Sequence, residues 1–219
     1  MTLLHHEALE DVLVDADWDK RLVVTPLLDR QQIGEASIDL RLGTDFLLLK
    51  KTLHAGVELV NEEEEEEESV TPEQLQARVD SLYDRRKIAF GDGLWLHPQQ
   101  FALGATLEFV RLPPTLGAYV LSRSSWGRLG LLVATAVMVQ PRFAGALTLE
   151  LVNEGESPIK LYPGVKIAQL AVHSLPSVMQ FEKADPNYRW PTGPQPARLG
   201  KEQEQLEKIR MLGQKLATV

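Results

Sequence analysis

Two segments of the chain carry side chains whose types and spacing can do chemistry. In Ala146-Leu147-Thr148-Leu149-Glu150-Leu151-Val152 the residues alternate, as in a strand. Leu147, Leu149 and Leu151 then share one face, and Ala146, Thr148, Glu150 and Val152 share the other. A carboxylate set among small and apolar neighbours is a candidate proton shuttle. Polar strand faces are commonly wetted, so the strand alone leaves a solvated Glu150 open as well. The second segment is Ser122-Arg123-Ser124-Ser125-Trp126-Gly127-Arg128-Leu129-Gly130. Its hydroxyls and guanidiniums suit phosphate oxygens, and its glycines allow close backbone approach. A polar surface turn is the plainer reading of such a loop. The apolar strands on both sides favour the edge of a pocket.

The elements that must hold these segments are mostly short strands. His5 to Val14 has the spacing of a helix, with Leu9, Val12 and Leu13 on one face. Strands follow at Ser37 to Gly43 and Phe46 to Leu49. From Leu94 onward, strands are expected over 94–98, 101–109, 116–122, 131–139, 146–153, 159–162 and 167–173. Tyr162-Pro163-Gly164 marks a turn between the last two. No helices alternate with these strands, which argues against a doubly wound parallel sheet and for a mainly β fold of the jelly-roll kind. Residues 57–92 read as an insertion holding seven consecutive glutamates, Glu62 to Glu68, and a helix from Thr71 to about Lys87. The glutamate run repels itself and is expected to be a solvated loop. The organisation expected is one domain over 1–199 and a helical tail over 200–219, with Leu206, Ile209, Met211 and Leu212 on or near one side of its helix.

Composition excludes several classes. The chain has 219 residues, 44% of them hydrophobic, which is enough for a proper core. A formal net charge of -8 argues against a general nucleic-acid binder, while leaving room for a local cationic pocket. With no cysteine, the chain lacks disulfides, thiol nucleophiles and the Cys-x-x-Cys pair of zinc nucleoside deaminases. Its five histidines show no metal-ligand spacing. The N-terminus carries His5, His6, Glu7, Glu10 and Asp11 where a signal peptide would need an apolar stretch, and the longest apolar run, Leu129 to Val139, is too short to span a bilayer. A cytoplasmic protein without membrane contact is expected.

Taken together, several motifs resemble the dCTP deaminase family of the trimeric dUTPase-like superfamily. They are Ser37-Ile38-Asp39-Leu40-Arg41-Leu42-Gly43, Thr106 to Pro113, the Ser122 to Leu131 loop, Thr135-Ala136, Phe143 to Asn153, Pro158 to Leu170, and Tyr188 with Gly193-Pro194-Gln195-Pro196-x-Arg198-Leu199. The match covers most of the chain in the family's order. It implies a distorted jelly-roll (β-clip, dUTPase-like) fold, a homotrimer with pockets between subunits, and zinc-independent hydrolysis of dCTP to dUTP. Position by position, it implies that Arg123, Ser124, Ser125 and Arg128 hold the triphosphate and frame the water. Thr148 and Leu149 present backbone to the base, Gln169 reaches the phosphates, and Tyr188 and Gln140 border the nucleotide. Glu150 is the general acid/base, with Ser124 and Arg128 beside it. Magnesium comes with the triphosphate.

The chain departs from the family at several of these places. Gln140-Pro141-Arg142 stands where the family has an aspartate, a variable residue and a glycine. The stretch between Leu131 and Thr135 is one residue short and has Ala134 nearest the family's histidine. Asn187 and Pro191 replace a nucleotide-binding lysine and glutamine. Three readings therefore stay open: a dCTP deaminase, a dUTP diphosphatase or bifunctional enzyme making dUMP, and a non-catalytic nucleotide-binding or structural paralogue.

Overall fold

The computed structural model describes residues 2–50, 59, 70–133, 138–176 and 190–217. In chain order the first elements are β1 (Thr2–Leu3), α1 (His6–Val14), β2 (Val23–Thr25), β3 (Ile38–Arg41), β4 (Asp45–Leu49), α2 (Pro72–Ser81), β5 (Tyr83–Lys87) and β6 (Leu94–Leu96). They are followed by β7 (Phe101–Arg111), β8 (Leu116–Ser122), α3 (Ser124–Gly127), β9 (Leu131–Val133), β10 (Met138–Val139), β11 (Ala144–Asn153), β12 (Ile159–Leu161), β13 (Lys166–Ser174) and α4 (Gly200–Ala217). Every pairing between these strands whose register is resolved is antiparallel. The mainly β architecture expected from the sequence is therefore the one observed.

The chain divides into two compact units. The first comprises residues 1–49 and 85–195 and contains the sheets. One sheet runs β1-β13-β8-β10, with β3 sharing an edge of β13. The other runs β4-β7-β11-β9, with β2 also on β7, and the Arg85–Lys87 end of β5 lies outermost beyond β4. A two-stranded piece joins β12 and β6. Alternation in β3 sends Ile38 and Leu40 fully inside, and in β11 it does the same for Leu149 and Leu151. These meet Phe46, Val110, Ala118, Val120, Ile167 and Val172 in the core of this unit. Burying each such leucine or isoleucine contributes about 1.5–3 kcal/mol.

Opposite Leu147 the ladder between β11 and β7 is irregular. There Thr106 Oγ1 accepts from the Leu147 N–H at 2.9 Å and donates to the Glu108 carbonyl at 2.7 Å, so the interrupted backbone groups stay satisfied.

The second unit comprises residues 50–84 and 196–219. Thr71 caps α2 with its hydroxyl accepting from the Gln74 N–H, and Gln74 reaches back to the Thr71 N–H, a complete capping box behind Pro72. Leu75 and Val79 are buried on its inner face, and α2 packs with α4. Gln203 of α4 is buried and its Nε2 donates to the Val70 carbonyl. The expected helix to Lys87 is corrected: the helix ends at Ser81 and Tyr83–Lys87 is a strand. Arg85, Arg86 and Lys87 read as helix formers, but charged residues also suit an outermost strand, where they discourage further pairing. The glutamate run, Glu62 to Glu68, lies outside the described residues.

Candidate active site

The Ser122–Gly130 segment is a loop pinned at both ends. At its start the Arg123 N–H donates to the Ile167 carbonyl at 3.3 Å. In the middle, the single helical turn α3 is anchored by Trp126, whose Nε1 donates to the Lys166 carbonyl at 3.0 Å. At its end Gly130 has φ +89° and lies against Gly155, and a Cβ on Gly130 would sit 2.6 Å from the Gly155 backbone. Gly155 is fixed in turn by Asn153, a buried amide whose Oδ1 accepts the Gly155 N–H at 2.9 Å. Only glycine fits such an approach.

This pinning opens a cleft of about 380 Å³ lined by Arg123, Ser125, Trp126, Leu129, Val165 and Lys166. Two cations, a hydroxyl and an indole make it suitable for an anion carrying a planar group. Behind the cations lies Asp39 of β3. Its Oδ1 accepts from Arg123 Nη1 and, at 3.2 Å, from Gln169 Nε2; its Oδ2 meets Lys166 Nζ at 3.2 Å. Ser124, Ser125 and Arg128 are exposed, and among the described residues their side chains have no hydrogen-bonding or ionic partner. Their donors are thus free for a ligand.

Glu150 lies elsewhere. It stands on β11, in the other sheet, between the half-buried Thr148 and Val152, while Leu147, Leu149 and Leu151 turn into the core. Glu150 is itself half-buried, has no hydrogen-bond or ion-pair partner among the described residues, and does not line the Arg123 cleft. Opposite it is Leu103 of β7, and opposite Leu103 is Leu47 of β4, both nearly fully buried. The carboxylate thus sits at the end of an apolar row.

The segment Trp190–Gln195 runs along the near end of the same strand. The Ala146 N–H donates to the Pro191 carbonyl at 2.7 Å, and the Gln195 N–H donates to Thr148 Oγ1 at 3.1 Å. Trp190 stacks on Phe109 with centroids 5.9 Å apart. Pro191 is seated so closely on Gly145 that a Cβ there would fall 2.3 Å from its Cδ.

A family model described as dCTP deaminase-like matches residues 9–175, more than half of the chain. This chain belongs to the dCTP deaminase-like family. A dCTP deaminase from Natronomonas pharaonis is 36% identical over 203 residues, covering 88% of this chain and 97% of its own. A relative from Dictyoglomus thermophilum, named dCTP deaminase, dUMP-forming, is 37% identical over 198 residues, covering 86% and 94%. In solved structures, the 2'-deoxycytidine 5'-triphosphate deaminase from Agrobacterium tumefaciens shares the fold with a TM-score of 0.55 at 19% identity. That likeness covers 78% of this chain and 48% of the other.

Set against the family pattern, the departures have a visible local structure. Gln140 is exposed, and its carbonyl accepts the Phe143 N–H at 3.1 Å to close a tight turn. Arg142, where the family has glycine, holds φ +68° in that turn, a left-handed conformation that costs a side-chain-bearing residue about 1–2 kcal/mol. Tyr188, Asn187 and Ala134 lie outside the described residues. Asp39, Trp126 and Lys166 stood in the quoted motifs without an assigned role. For Asp39 the usable signal was the strict alternation of Ile38 and Leu40 with Asp39 and Arg41, which commits two charged residues to one face.

Proposed function

We propose that this protein deaminates dCTP by hydrolysis, with Glu150 as general acid/base. The observation that carries the reading is the cleft in which Arg123, Lys166 and Ser125 meet Trp126, within a chain that belongs to the dCTP deaminase-like family. Arg123, Ser124, Ser125, Arg128 and Gln169 bind the triphosphate, which brings magnesium as its counter-ion. Thr148 and the backbone of Leu149 face the base, and Gln140 and Tyr188 border the nucleotide.

Water adds to C4 of cytosine while Glu150 takes its proton and passes it to N3. In the second half the carboxylate takes the proton of the new C4 hydroxyl and delivers it to the exocyclic nitrogen, ammonia leaves, and C4 becomes the carbonyl of uracil. One carboxyl serves both halves because it alternates between base and acid. The apolar row Glu150–Leu103–Leu47 supports this role by keeping one side of the carboxylate dry. Because Glu150 does not line the Arg123 cleft of its own chain, we assign the complete pocket to adjacent copies in a homotrimer.

A second reading adds loss of diphosphate, so that dUMP is the product, and is favoured by relatives named dUMP-forming. Incubation with dCTP and magnesium, followed by separation of dUTP, dUMP, diphosphate and ammonia, distinguishes the two. Ammonia with dUTP supports the first reading, and ammonia with dUMP and diphosphate the second. A protein that leaves dCTP intact contradicts both.

A further inference from the structure

The cations of the cleft do not stand alone, and what holds them is the more buried partner. The Asp39 side chain is 13% exposed, against 31% for Arg123 and 23% for Lys166. Arg123 and Lys166 line the cleft, while Asp39 and Gln169 do not. Strand register explains the convergence. Asp39 is the direct cross-strand partner of Gln169, and Lys166 lies at the other end of the β3–β13 pairing, opposite Arg41. Arg123 follows the end of β8, whose Ser122 pairs with Ala168. One carboxylate therefore receives a guanidinium, an ammonium and an amide from two neighbouring segments. Lys166 is steadied further by the Gln31 carbonyl at 3.3 Å and by Asp29 at 3.7 Å, and Asp29 is itself paired with Arg41.

We propose that Asp39, itself held by Gln169, is the positioning residue of the phosphate cleft, fixing Arg123 and Lys166 from behind so that their remaining donors face the bound polyphosphate. This rests on the function proposed above, and it adds a residue that need not touch the nucleotide. Arg123 gives one amino group to Asp39 and keeps the rest of its fork for the ligand. Without the carboxylate, two long flexible cations facing one cleft repel each other and must be reordered each time an anion binds. Simple electrostatics predicts the opposite sign, since removing a negative charge beside an anion strengthens its binding. The two accounts therefore separate cleanly.

The test uses the full chain and its Asp39→Asn variant, an isostere that puts a neutral carboxamide in place of the carboxylate. KM for dCTP rises roughly ten- to a hundred-fold in the variant, the loss expected from one or more charge-assisted contacts, while kcat stays within about two-fold. The affinity for inorganic tripolyphosphate, measured by calorimetry, falls in parallel, and the melting temperature stays within a few degrees. Unchanged or tighter tripolyphosphate binding overturns the proposal, as does a fall in kcat at unchanged KM. A native protein that binds no tripolyphosphate overturns it as well. A native protein that binds tripolyphosphate but leaves dCTP intact refutes the deaminase reading alone, and the proposal is then decided by the variant's anion affinity. Should Asp39→Asn fail to fold, Asp39→Glu is read instead. It keeps the charge but moves it by one methylene, so weaker anion binding supports the proposal and native affinity overturns it.

Discussion

Glu108 is a carboxylate enclosed in the first unit, with no cationic side chain bonded to it among the described residues. It is fully buried, with Oε1 accepting from Gln32 Nε2 at 2.9 Å and Oε2 from the Arg41 N–H at 2.8 Å. Burial nevertheless pushes its carboxyl above the ordinary glutamate value of 4.5, outweighing the bonds from Arg41 and Gln32 that favour the charged form. A raised folded value means that the folded chain holds the proton more tightly than the unfolded one. The stabilisation from Glu108 is therefore complete below pH 4.5 and is lost as the pH rises through the folded value. Glu108→Gln removes this dependence and sets an amide donor against donors it cannot satisfy. It destabilises by about 1–3 kcal/mol, more at low pH than at neutral pH. Urea midpoints of the two proteins at pH 4.5 and pH 7 check the sign, and a gap that widens toward neutral pH contradicts it.

At the scale of elements, β3 and β11 were legible because their alternation matches their burial, and β8 because a short apolar run there is bounded by turn residues. Leu116–Ser122 was read to the residue, and Ala144–Asn153 to within two at its start. The 131–139 stretch is described only as strands at its two ends, β9 and β10. The Thr2–Leu3 and Val23–Thr25 strands were not read, since two or three residues are too few to show a period. Legible too was the glycine-rich loop, but not the close packing that needs Gly130 and Gly145, which depends on residues far along the chain. That packing yields a prediction. Gly145→Ala pushes Pro191 away and removes the bonds that seat Trp190–Gln195 on β11, opening the segment about 10–100-fold more often. Limited proteolysis then cuts within 190–195 faster than in the native protein. Equal cutting rates would show that the segment is held by something other than this contact.

At the scale of the molecule, the cluster around Arg123 was legible as one run of residues, whereas the separation of Glu150 from it within one chain was not. Spacing along the chain carries no distance across a fold, and still less across copies. The proposed trimer joins the two parts, and it predicts sedimentation at three times the 24.5 kDa chain mass at micromolar concentration. A stable monomer that still deaminates dCTP would place Glu150 and the phosphate cleft in one pocket and refute the shared site.

Ammonia release from dCTP, measured beside dCTP binding in native protein and Glu150→Gln, decides the role of Glu150. Gln keeps the size and one acceptor but cannot carry a proton, so turnover is predicted to fall by about 10²–10⁴-fold with affinity nearly unchanged. Ammonia release at the native rate from Glu150→Gln would contradict the assignment of Glu150, whatever the fold or the family.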